Sequence, residues 1–280
     1  MPELPEVETV RAGLHDVLVG NHLAVVSVYQ SKLRYPVPGD LSDRLAGQRI
    51  VALTRRAKYL LIVFEQQTVI IHLGMSGSLR WLPSFQLPQK HDHIDFHFAD
   101  GGCLRFHDPR RFGLVVLTEA SADNHPLLRH LGPEPLEDSF NGLALFNQSR
   151  NRRVAIKSLL MDNKIVVGVG NIYANESLFL SRIDPRLTAG ELTAEQCEIL
   201  ATTVKKVLLA AIKAGGTTLN DFVNGHGSPG YFQQQLYVYG REEQPCLVCG
   251  TMIERCRIGQ RSTFYCPECQ GLKGSRVKRK

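Results

Sequence analysis

The stretch YLLIVFEQQTVIIHLG, residues 59–74, decides the fold class of the first half of the chain. It holds two apolar runs of strand length with polar residues between them. Similar runs, LAVVSVY (23–29), IDFHF (94–98) and LRFH (104–107), are separated by Gly, Pro and Asp. Short apolar runs bounded by turn-forming residues are typical of strands. Residues from about 22 to 117 are therefore predicted to form a β-sandwich or barrel.

Helical patterns lie on both sides of these strands. Apolar residues from Val7 to Leu18 recur at helical spacing behind Pro and Glu, and Gly20 follows them, so a helix is expected almost at the start. LGPEPLEDSFNG (131–142) is predicted to be a linker. Beyond it a capping box of Thr193 with Gln196 begins one long helix that ends near Gly215. Shorter helices are predicted at 152–162, 170–180 and 217–223.

Four of the seven cysteines form two matched pairs, Cys246-Leu-Val-Cys249 and Cys266-Pro-Glu-Cys269. Paired knuckles at this spacing present four thiolates tetrahedrally to zinc, and four thiolates leave no coordination position for water. We predict one structural zinc that stabilises a hairpin and takes no part in chemistry. No organic cofactor is expected.

Charge and composition bound the class of protein. Lys and Arg exceed Asp and Glu by 33 to 27, but five of the bases lie in the tail GLKGSRVKRK (271–280), which leaves only +1 for the rest of the chain. A polyanion-binding surface must therefore come from local clustering. The acidic, proline-punctuated start and the lack of a long apolar run predict a cytoplasmic protein with no membrane span.

The first residues carry a possible nucleophile. Pro2 follows Met1 and is a small residue that permits removal of the initiator methionine, which would expose a secondary amine. Because a free α-amino group has a pKa of about 8, part of it is unprotonated at neutral pH and can attack a sugar C1′ to form an iminium. Glu3 could protonate the sugar, although acids at a helix start also simply complement the helix dipole.

Two other patterns favour structural roles. In HDHIDFHF (91–98), the alternation puts His91, His93, Asp95 and His97 on one face of a strand. We interpret that face as solvated and expect no second metal there. The segment GVGN (168–171) has an incomplete glycine fingerprint, so dinucleotide binding is not predicted.

The chain as a whole resembles the formamidopyrimidine-DNA glycosylase family. The resemblance rests on motifs in family order: MPELPEVETV (1–10), RRAKYLL (55–61), HLGMSGSLR (72–80), KHDH (90–93), DPRRFG (108–113), LGPEPL (131–136), MDNKIVVGVGNIYANESLF (161–179), GGTTL (215–219), PGYF (229–232) and the cysteine pairs. It implies a multidomain α+β fold with an N-terminal β-sandwich and flanking helices, a helix-two-turn-helix domain and a zinc-ribbon hairpin. The implied limits are 2–133, a linker at 134–142, then 143–235, 236–270 and a disordered basic tail at 271–280.

The same resemblance implies an activity: excision of oxidised purines from duplex DNA, followed by strand cleavage through β,δ-elimination. Pro2 would be the nucleophile and Glu3 the acid, with Lys58 as proton donor in β-elimination. Arg261, in QRSTFYC (260–266), would bind phosphate and assist δ-elimination. The implied partner is damaged double-stranded DNA, bound by a monomer.

Extruding a nucleotide requires a wedge that fills the vacated stack. The resemblance assigns this wedge to Met75, Arg110 and Phe112, whereas from the residues alone Met75 and Phe112 would be ordinary core side chains. It assigns phosphate contacts to His91, Arg152 and Asn171, and a base-capping loop to residues 217–231. These contacts position DNA without reading its sequence.

Two alternatives remain open. One is a glycosylase of the endonuclease VIII type, which would act on oxidised pyrimidines; the intact set of Met75, Arg110 and Phe112 argues against it. The other is a non-catalytic protein that binds damaged DNA, which the presence of Pro2 and Glu3 disfavours. Cys256 departs from the pattern as a fifth ribbon thiol that could compete for zinc.

Overall fold

A computed structural model describes residues 2–119, 121–216 and 236–271. The chain divides into two compact units: unit 1 comprises Met1–His130 and Ala211–Gln233, and unit 2 comprises Leu131–Ala210 and Gln234–Lys280. The predicted helix at 217–223, the loop at 217–231 and residues 272–280 of the basic tail lie outside the described residues. Within the described part of the chain, no helix is long and apolar enough to cross a membrane.

Unit 1 is built on two four-stranded antiparallel sheets, with strand orders β1-β6-β7-β5 and β2-β3-β4-β8. The first contains β1 (Leu23–Val28), β5 (Ser78–Leu82), β6 (Asp92–Phe98) and β7 (Cys103–His107). The second contains β2 (Ile50–Arg56), β3 (Tyr59–Phe64), β4 (Thr68–His72) and β8 (Leu114–Thr118). Apolar residues of both sheets share one buried cluster, as expected when two sheets pack face to face. The predicted β-sandwich is confirmed.

Two helices flank these sheets. Helix α1 (Leu4–Leu18) buries Val7, Val10 and Leu14 in the same cluster, as the apolar spacing predicts. A short helix, α2 (Leu41–Leu45), lies inside the region predicted to be all strand and also packs against that cluster. Its five residues are too few for helical periodicity to show in the sequence.

The polar face of β6 is not solvated, so that prediction is wrong for His93 and Asp95, which are both buried. Asp95 lies opposite Arg105 of β7 and accepts from its Nε at 2.8 Å and its Nη2 at 2.6 Å. The same guanidinium donates to the carbonyl oxygens of Gln86 and Leu87, which ties the segment before β6 to this face. A carboxylate bonded by both arms of an arginine is buried without being left unpaired.

The ion pair between Asp95 and Arg105 also disfavours a second metal site on this face. Ligand atoms of Asp95, His97 and Cys103 lie within 4.8 Å of one another. The Arg105 cation already occupies the carboxylate, and burial raises the pKa of the Cys103 thiol to about 12. A second cation would therefore meet a neighbouring positive charge and a protonated thiol.

Unit 2 begins with helices. They are α3 (Gly142–Ser149), α4 (Ile156–Leu160), α5 (Asn171–Leu180) and α6 (Ala194–Lys213), whose last three residues belong to unit 1. The helix expected at 170–180 and the capping box are confirmed: Thr193 Oγ1 accepts from the Gln196 N–H at 3.1 Å, and Gln196 Oε1 accepts from the Thr193 N–H at 3.0 Å.

The helix predicted at 152–162 is wrong in its first turn. Arg152 to Ala155 form a loop whose backbone bonds to residues 188–190, through Ala189 N to the Val154 oxygen and Gly190 N to the Arg152 oxygen. Helix α3 was not predicted. Because these bonds join residues more than thirty positions apart, a local pattern does not reveal them.

The ribbon is a two-stranded antiparallel hairpin of β9 (Glu254–Ile258) and β10 (Arg261–Tyr265). Gly259 and Gln260 make its turn with φ of 54° and 62°. A small buried cluster joins the ribbon to α5 within unit 2, with members Phe179, Val238, Cys246, Ile253, Phe264 and Cys266. Glu176 of α5 also accepts from the backbone N–H groups of Tyr237, Val238 and Tyr239.

Candidate active site

The proposed nucleophile and acid lie at the start of α1. Glu3 is the N-cap residue, and its backbone N–H donates to Glu6 Oε2 at 2.8 Å. Pro2 and Glu3 are both buried. The helix start thus fixes Glu3 directly beside Pro2 in a position shielded from bulk water, which suits an acid that acts on a group attached to the proline nitrogen.

Lys58 lies in the tight turn between β2 and β3 and is 9% exposed. Arg55 connects this turn to α1, because its Nε donates to Glu8 Oε2 at 3.0 Å and its Nη1 donates to the Ala57 carbonyl oxygen at 2.8 Å. Ala57 adopts a φ of 53°, which a non-glycine residue holds only when its surroundings fix it. Arg55 was missed by sequence reasoning, although it lies in the motif that holds Lys58.

His72, at the end of β4, contributes to the electrostatics around Lys58. Burial, together with the positive charges of Lys58 and Arg34, lowers the pKa of His72 to about 4. Its Nδ1 accepts from the Gly74 N–H at 2.9 Å, which leaves the imidazole proton on Nε2. A neutral ring here avoids a further cation beside Lys58.

Three residues assigned to the wedge lie on two loops of unit 1. Met75 is half-buried in the turn after β4, while Arg110 and Phe112 are exposed in the loop between β7 and β8. The Arg110 guanidinium lies over the Phe112 ring, 4.9 Å from its centre. The core interpretation of Phe112 is wrong, because a large apolar side chain that is 45% exposed contributes little to a core.

His91 is half-exposed before β6 and adopts a φ of 74°. Partial desolvation, reinforced by the positive charge of Lys90 and by His107 and His93, lowers its pKa. In the free protein it is therefore a neutral hydrogen-bond donor near pH 7 rather than a cation.

Unit 2 carries the remaining predicted residues. Arg152 is exposed in the loop between α3 and α4, and Arg261 is exposed at the first position of β10. Asn171 begins α5, and its Nδ2 donates to the Ser262 carbonyl oxygen at 3.0 Å. Its Oδ1 has no hydrogen-bond partner within the described residues.

A buried lysine hydrogen-bonds to the two residues that follow Arg261. The sequence motifs do not reveal it. Lys157 of α4 is 1% exposed, and its Nζ donates to the Ser262 carbonyl oxygen at 2.9 Å and to Thr263 Oγ1 at 2.7 Å. Its charge is therefore hydrogen-bonded to the start of β10, which fixes the backbone from which Arg261 projects.

The four paired cysteines converge in the ribbon. Their sulfur atoms lie within 4.8 Å of one another, with 3.9 Å between Cys246 and Cys269 and 3.4 Å between Cys249 and Cys266. Tetrahedral zinc with Zn–S bonds of about 2.3 Å requires sulfur separations of about 3.8 Å. The cluster fits zinc, and Cys256 does not belong to it among the described residues.

Family models match three successive parts of the chain. A formamidopyrimidine-DNA glycosylase N-terminal domain matches residues 1–115, a formamidopyrimidine-DNA glycosylase H2TH domain matches residues 131–223, and a zinc finger found in FPG and IleRS matches residues 243–271. A formamidopyrimidine-DNA glycosylase from Laribacter hongkongensis is 56% identical and covers 96% of this chain and 100% of its own length. This chain belongs to the formamidopyrimidine-DNA glycosylase family.

Other relatives in the formamidopyrimidine-DNA glycosylase family agree. The enzyme of that name from Nitrosococcus oceani is 53% identical over 96% of this chain and 100% of its own length. The crystal structure of MutM (Fpg) from Thermus thermophilus is 38% identical, with a TM-score of 0.87 over 96% of this chain and 99% of that one. The Lactococcus lactis Fpg in complex with abasic-site DNA is 32% identical, with a TM-score of 0.89 over 96% and 100%.

Membership in the formamidopyrimidine-DNA glycosylase family, with its zinc finger, confirms the sequence prediction of a structural zinc. The residues that could hold it are the clustered Cys246, Cys249, Cys266 and Cys269. Because four sulfurs fill the shell, the metal stabilises the ribbon and leaves the chemistry to other residues.

Proposed function

We propose that this chain is a bifunctional base-excision repair enzyme, which removes oxidised purines such as 8-oxoguanine and formamidopyrimidines from duplex DNA and then cleaves the abasic strand. The observation that carries the proposal is family membership along the whole chain together with an intact Pro2-Glu3 start at the cap of α1. The Lactococcus lactis Fpg, 32% identical, has been crystallised with abasic-site DNA, and a mutant of it has been crystallised with Fapy-dG DNA.

In the first step the Pro2 nitrogen attacks C1′ of the damaged nucleotide. The glycosidic bond breaks, and its electron pair leaves with the base, which takes up a proton, while the attacking Pro2 nitrogen gives up its own proton and so regains a lone pair. Glu3 gives a proton to the sugar ring oxygen, the ring opens, and the nitrogen lone pair forms an iminium between Pro2 and C1′. The burial of Glu3 beside Pro2 supports this pairing, because water is kept away from the charged intermediate.

In the second step the iminium makes the proton at C2′ acidic, so the 3′ phosphate leaves by β-elimination and the 5′ phosphate by δ-elimination. Lys58 acts as proton donor in the first of these. Arg261 binds phosphate and assists the second. Neither elimination needs a metal or redox partner, and hydrolysis of the remaining iminium releases the sugar remnant and regenerates the Pro2 amine.

Residues of unit 1 open the DNA at the lesion. Residues of both units bind its phosphates. Met75, Arg110 and Phe112 fill the gap left by the extruded nucleotide, and the exposure of Phe112 with Arg110 over its ring supports that role. His91, Arg152 and Asn171 contact phosphates. For Asn171, the second N–H of an amide already bonded to Ser262 remains for a phosphate oxygen.

The organisation that goes with this function is as follows. The catalytic domain spans residues 2–133 and is followed by a linker at 134–142. The helix-two-turn-helix domain spans 143–235, the ribbon spans 236–270, and the basic tail spans 271–280. The enzyme acts as a monomer in the bacterial cytoplasm, where its DNA lies.

Oxidised pyrimidines are a second candidate substrate class, because the Lactococcus lactis Fpg has also been crystallised with DNA that contains an oxidised pyrimidine. Single-turnover excision separates the two classes. We expect 8-oxoguanine opposite cytosine to be excised at least about tenfold faster than thymine glycol opposite adenine, since a site that hydrogen-bonds one base discriminates against another. Faster excision of thymine glycol would assign the chain to the endonuclease VIII type.

The neutral state of His91 in the free protein predicts how its DNA affinity depends on salt concentration. Replacing Arg152 with Ala should reduce the slope of log affinity against log salt by about 0.9, as expected for one lost cationic phosphate contact. Replacing His91 with Ala should weaken binding at pH 8 but leave the slope nearly unchanged, because His91, whose pKa is lowered in the free protein, would contact the phosphate as a neutral hydrogen-bond donor. Titration of a labelled abasic-analogue duplex between 50 and 200 mM salt, the range in which this effect is usually large, measures both slopes. Equal slope changes would show that His91 binds as a cation.

A further inference from the structure

One buried carboxylate joins the two loops that carry the wedge. Asp108 follows β7 and has no exposed surface. Its Oδ1 accepts from Ser76 Oγ at 2.8 Å and lies 3.3 Å from the Arg110 N–H nitrogen. Its Oδ2 accepts from the Gly113 N–H at 2.8 Å. Three donors from two loops therefore converge on a single side chain, and bonds to an ionised acceptor are the stronger kind.

The partners of Asp108 are wedge residues or their immediate neighbours in the chain. Ser76 directly follows Met75, and Gly113 directly follows Phe112. The two loops also touch at their backbones: a Cβ on Gly74 would lie 2.5 Å from the Gly113 nitrogen and 2.5 Å from the Phe112 carbonyl carbon. Gly74 has a φ of 67°, so both its conformation and this close approach require glycine. The separation of the two loops is thus fixed by direct contact.

The backbone of Asp108 extends the same connection to a third loop. Its N–H donates to the His91 carbonyl oxygen at 3.0 Å, and its carbonyl oxygen accepts from His93 Nε2 at 2.7 Å. His91 and Arg111, which both bond to the backbone of Asp108, hold φ values of 74° and 55°. Non-glycine residues keep such values only where neighbouring bonds determine them, and Asp108 supplies bonds to both segments, since its carbonyl also accepts from the Arg111 N–H.

We propose that Asp108 is a positioning residue, which holds the loops of Met75, His91 and Arg110 to Phe112 as one preformed surface that opens the DNA at the lesion. This inference rests on the proposed function and adds to it a residue that contacts neither substrate nor leaving group. Its effect is confined to extrusion of the damaged nucleotide. Cleavage at a site that already lacks its base depends on it much less, because extrusion then costs less energy.

An isosteric substitution tests this proposal. Asp108→Asn replaces one acceptor oxygen with an NH₂ group, which must face either the Gly113 or the Arg110 N–H. Ser76→Ala removes one bond and leaves the carboxylate in place. Asp100→Asn is the matched control: Asp100 also accepts a backbone N–H, from Gly102 at 2.8 Å, but in the turn between β6 and β7, which carries none of the residues assigned to DNA.

Each variant is compared with wild type in single-turnover assays on three duplexes: 8-oxoguanine opposite cytosine, 8-oxoguanine opposite an abasic analogue, and a preformed abasic site opposite cytosine. Thermal unfolding is followed in parallel. For Asp108→Asn we expect excision opposite cytosine to fall on the order of 10²-fold, as a misplacement of about 1 Å can cause, with cleavage at the abasic site reduced less than about threefold. Removing the opposite base should restore part of the loss, and Ser76→Ala should show a smaller effect of the same pattern.

Each outcome discriminates. An equal loss on all three duplexes would mean that Asp108 only supports folding, and unchanged excision opposite cytosine would overturn the proposal as well. If the wild-type protein excises nothing from either 8-oxoguanine duplex, the proposed function fails. This failure is distinct from a failure of the Asp108 proposal, which is judged from the variants relative to an active wild type. A variant that unfolds at the wild-type temperature, loses excision opposite cytosine and keeps cleavage at the abasic site would support the positioning role.

Discussion

A chain that carries one extra residue in front of Pro2 is expected to lose 8-oxoguanine excision by about 10³-fold or more, the scale of loss seen when a nucleophile is removed. The extension converts the Pro2 nitrogen into an amide, whose lone pair is delocalised and does not attack C1′. Every other side chain is unchanged. Single-turnover strand cleavage on 8-oxoguanine opposite cytosine measures the effect, with complete processing of Met1 in the parent protein verified by intact mass.

Two further measurements make this result specific to the amine. Affinity for a duplex with an abasic analogue should change by no more than about threefold, since the added residue removes no phosphate contact. Pro2→Gly, which keeps an amine but loses the ring, should retain some activity. An extended chain that excises at the wild-type rate would exclude Pro2 as the nucleophile.

Loss of the zinc site is the second large effect. Cys266→Ser removes a fully buried ligand from a ribbon whose own apolar cluster is small. Structural zinc supplies roughly 10–16 kcal/mol of folding free energy to small metal-dependent folds, so the ribbon should unfold. Affinity for an abasic-analogue duplex should then fall on the order of 10- to 100-fold with the loss of the phosphate contact proposed for Arg261, since a hydrogen bond to a charged group contributes roughly 1.5–3 kcal/mol.

Cys256→Ser is the matched control, because Cys256 lies in β9 of the same ribbon but outside the four-sulfur cluster. It should keep one zinc per chain and wild-type affinity. Metal content and DNA titration measure both variants. Zinc loss from Cys256→Ser would mean that this thiol is a ligand, and full DNA affinity in zinc-free Cys266→Ser would refute the role of the ribbon.

The features that the sequence predicted correctly depend on local patterns. Helix α5 and the capping box of Thr193 with Gln196 follow from helical spacing and cap chemistry, and the zinc ribbon follows from the spacing of its cysteines. The strands of unit 1 follow from apolar runs such as residues 59–64. In each case the residues that decide the structure are near one another in the chain.

The predictions that failed depend on distant partners. The interpretation of Asp95 as solvated was wrong because β6 has β1 and β7 on its two sides and Arg105 pairs with it from the neighbouring strand. Neither the sheet order nor the segment that covers this face is encoded in the alternation of residues 91–98. The prediction of helix at 152–155 is wrong for the same reason, since the backbone of this loop bonds to residues 188–190.

For the candidate site, sequence motifs predict which side chains contact DNA but not which residues hold those side chains in place. Arg55 and Lys157 use long side chains to fix the backbone beside Lys58 and Arg261, and Asp108 does so for the wedge loops. Their charge gives no hint of the carbonyl and N–H groups they bind. Such supporting contacts become visible only when the strands and helices are assembled.

Borohydride trapping with peptide mapping tests the central claim most directly. The protein is incubated with a duplex that contains 8-oxoguanine opposite cytosine and reduced with sodium borohydride, and the adduct is digested and sequenced by mass spectrometry. A nucleotide remnant on the Pro2 nitrogen, absent from the extended chain, is the predicted result. A remnant on a lysine side chain such as Lys58, or no adduct from a protein that lacks Met1 and holds its zinc, would contradict the account.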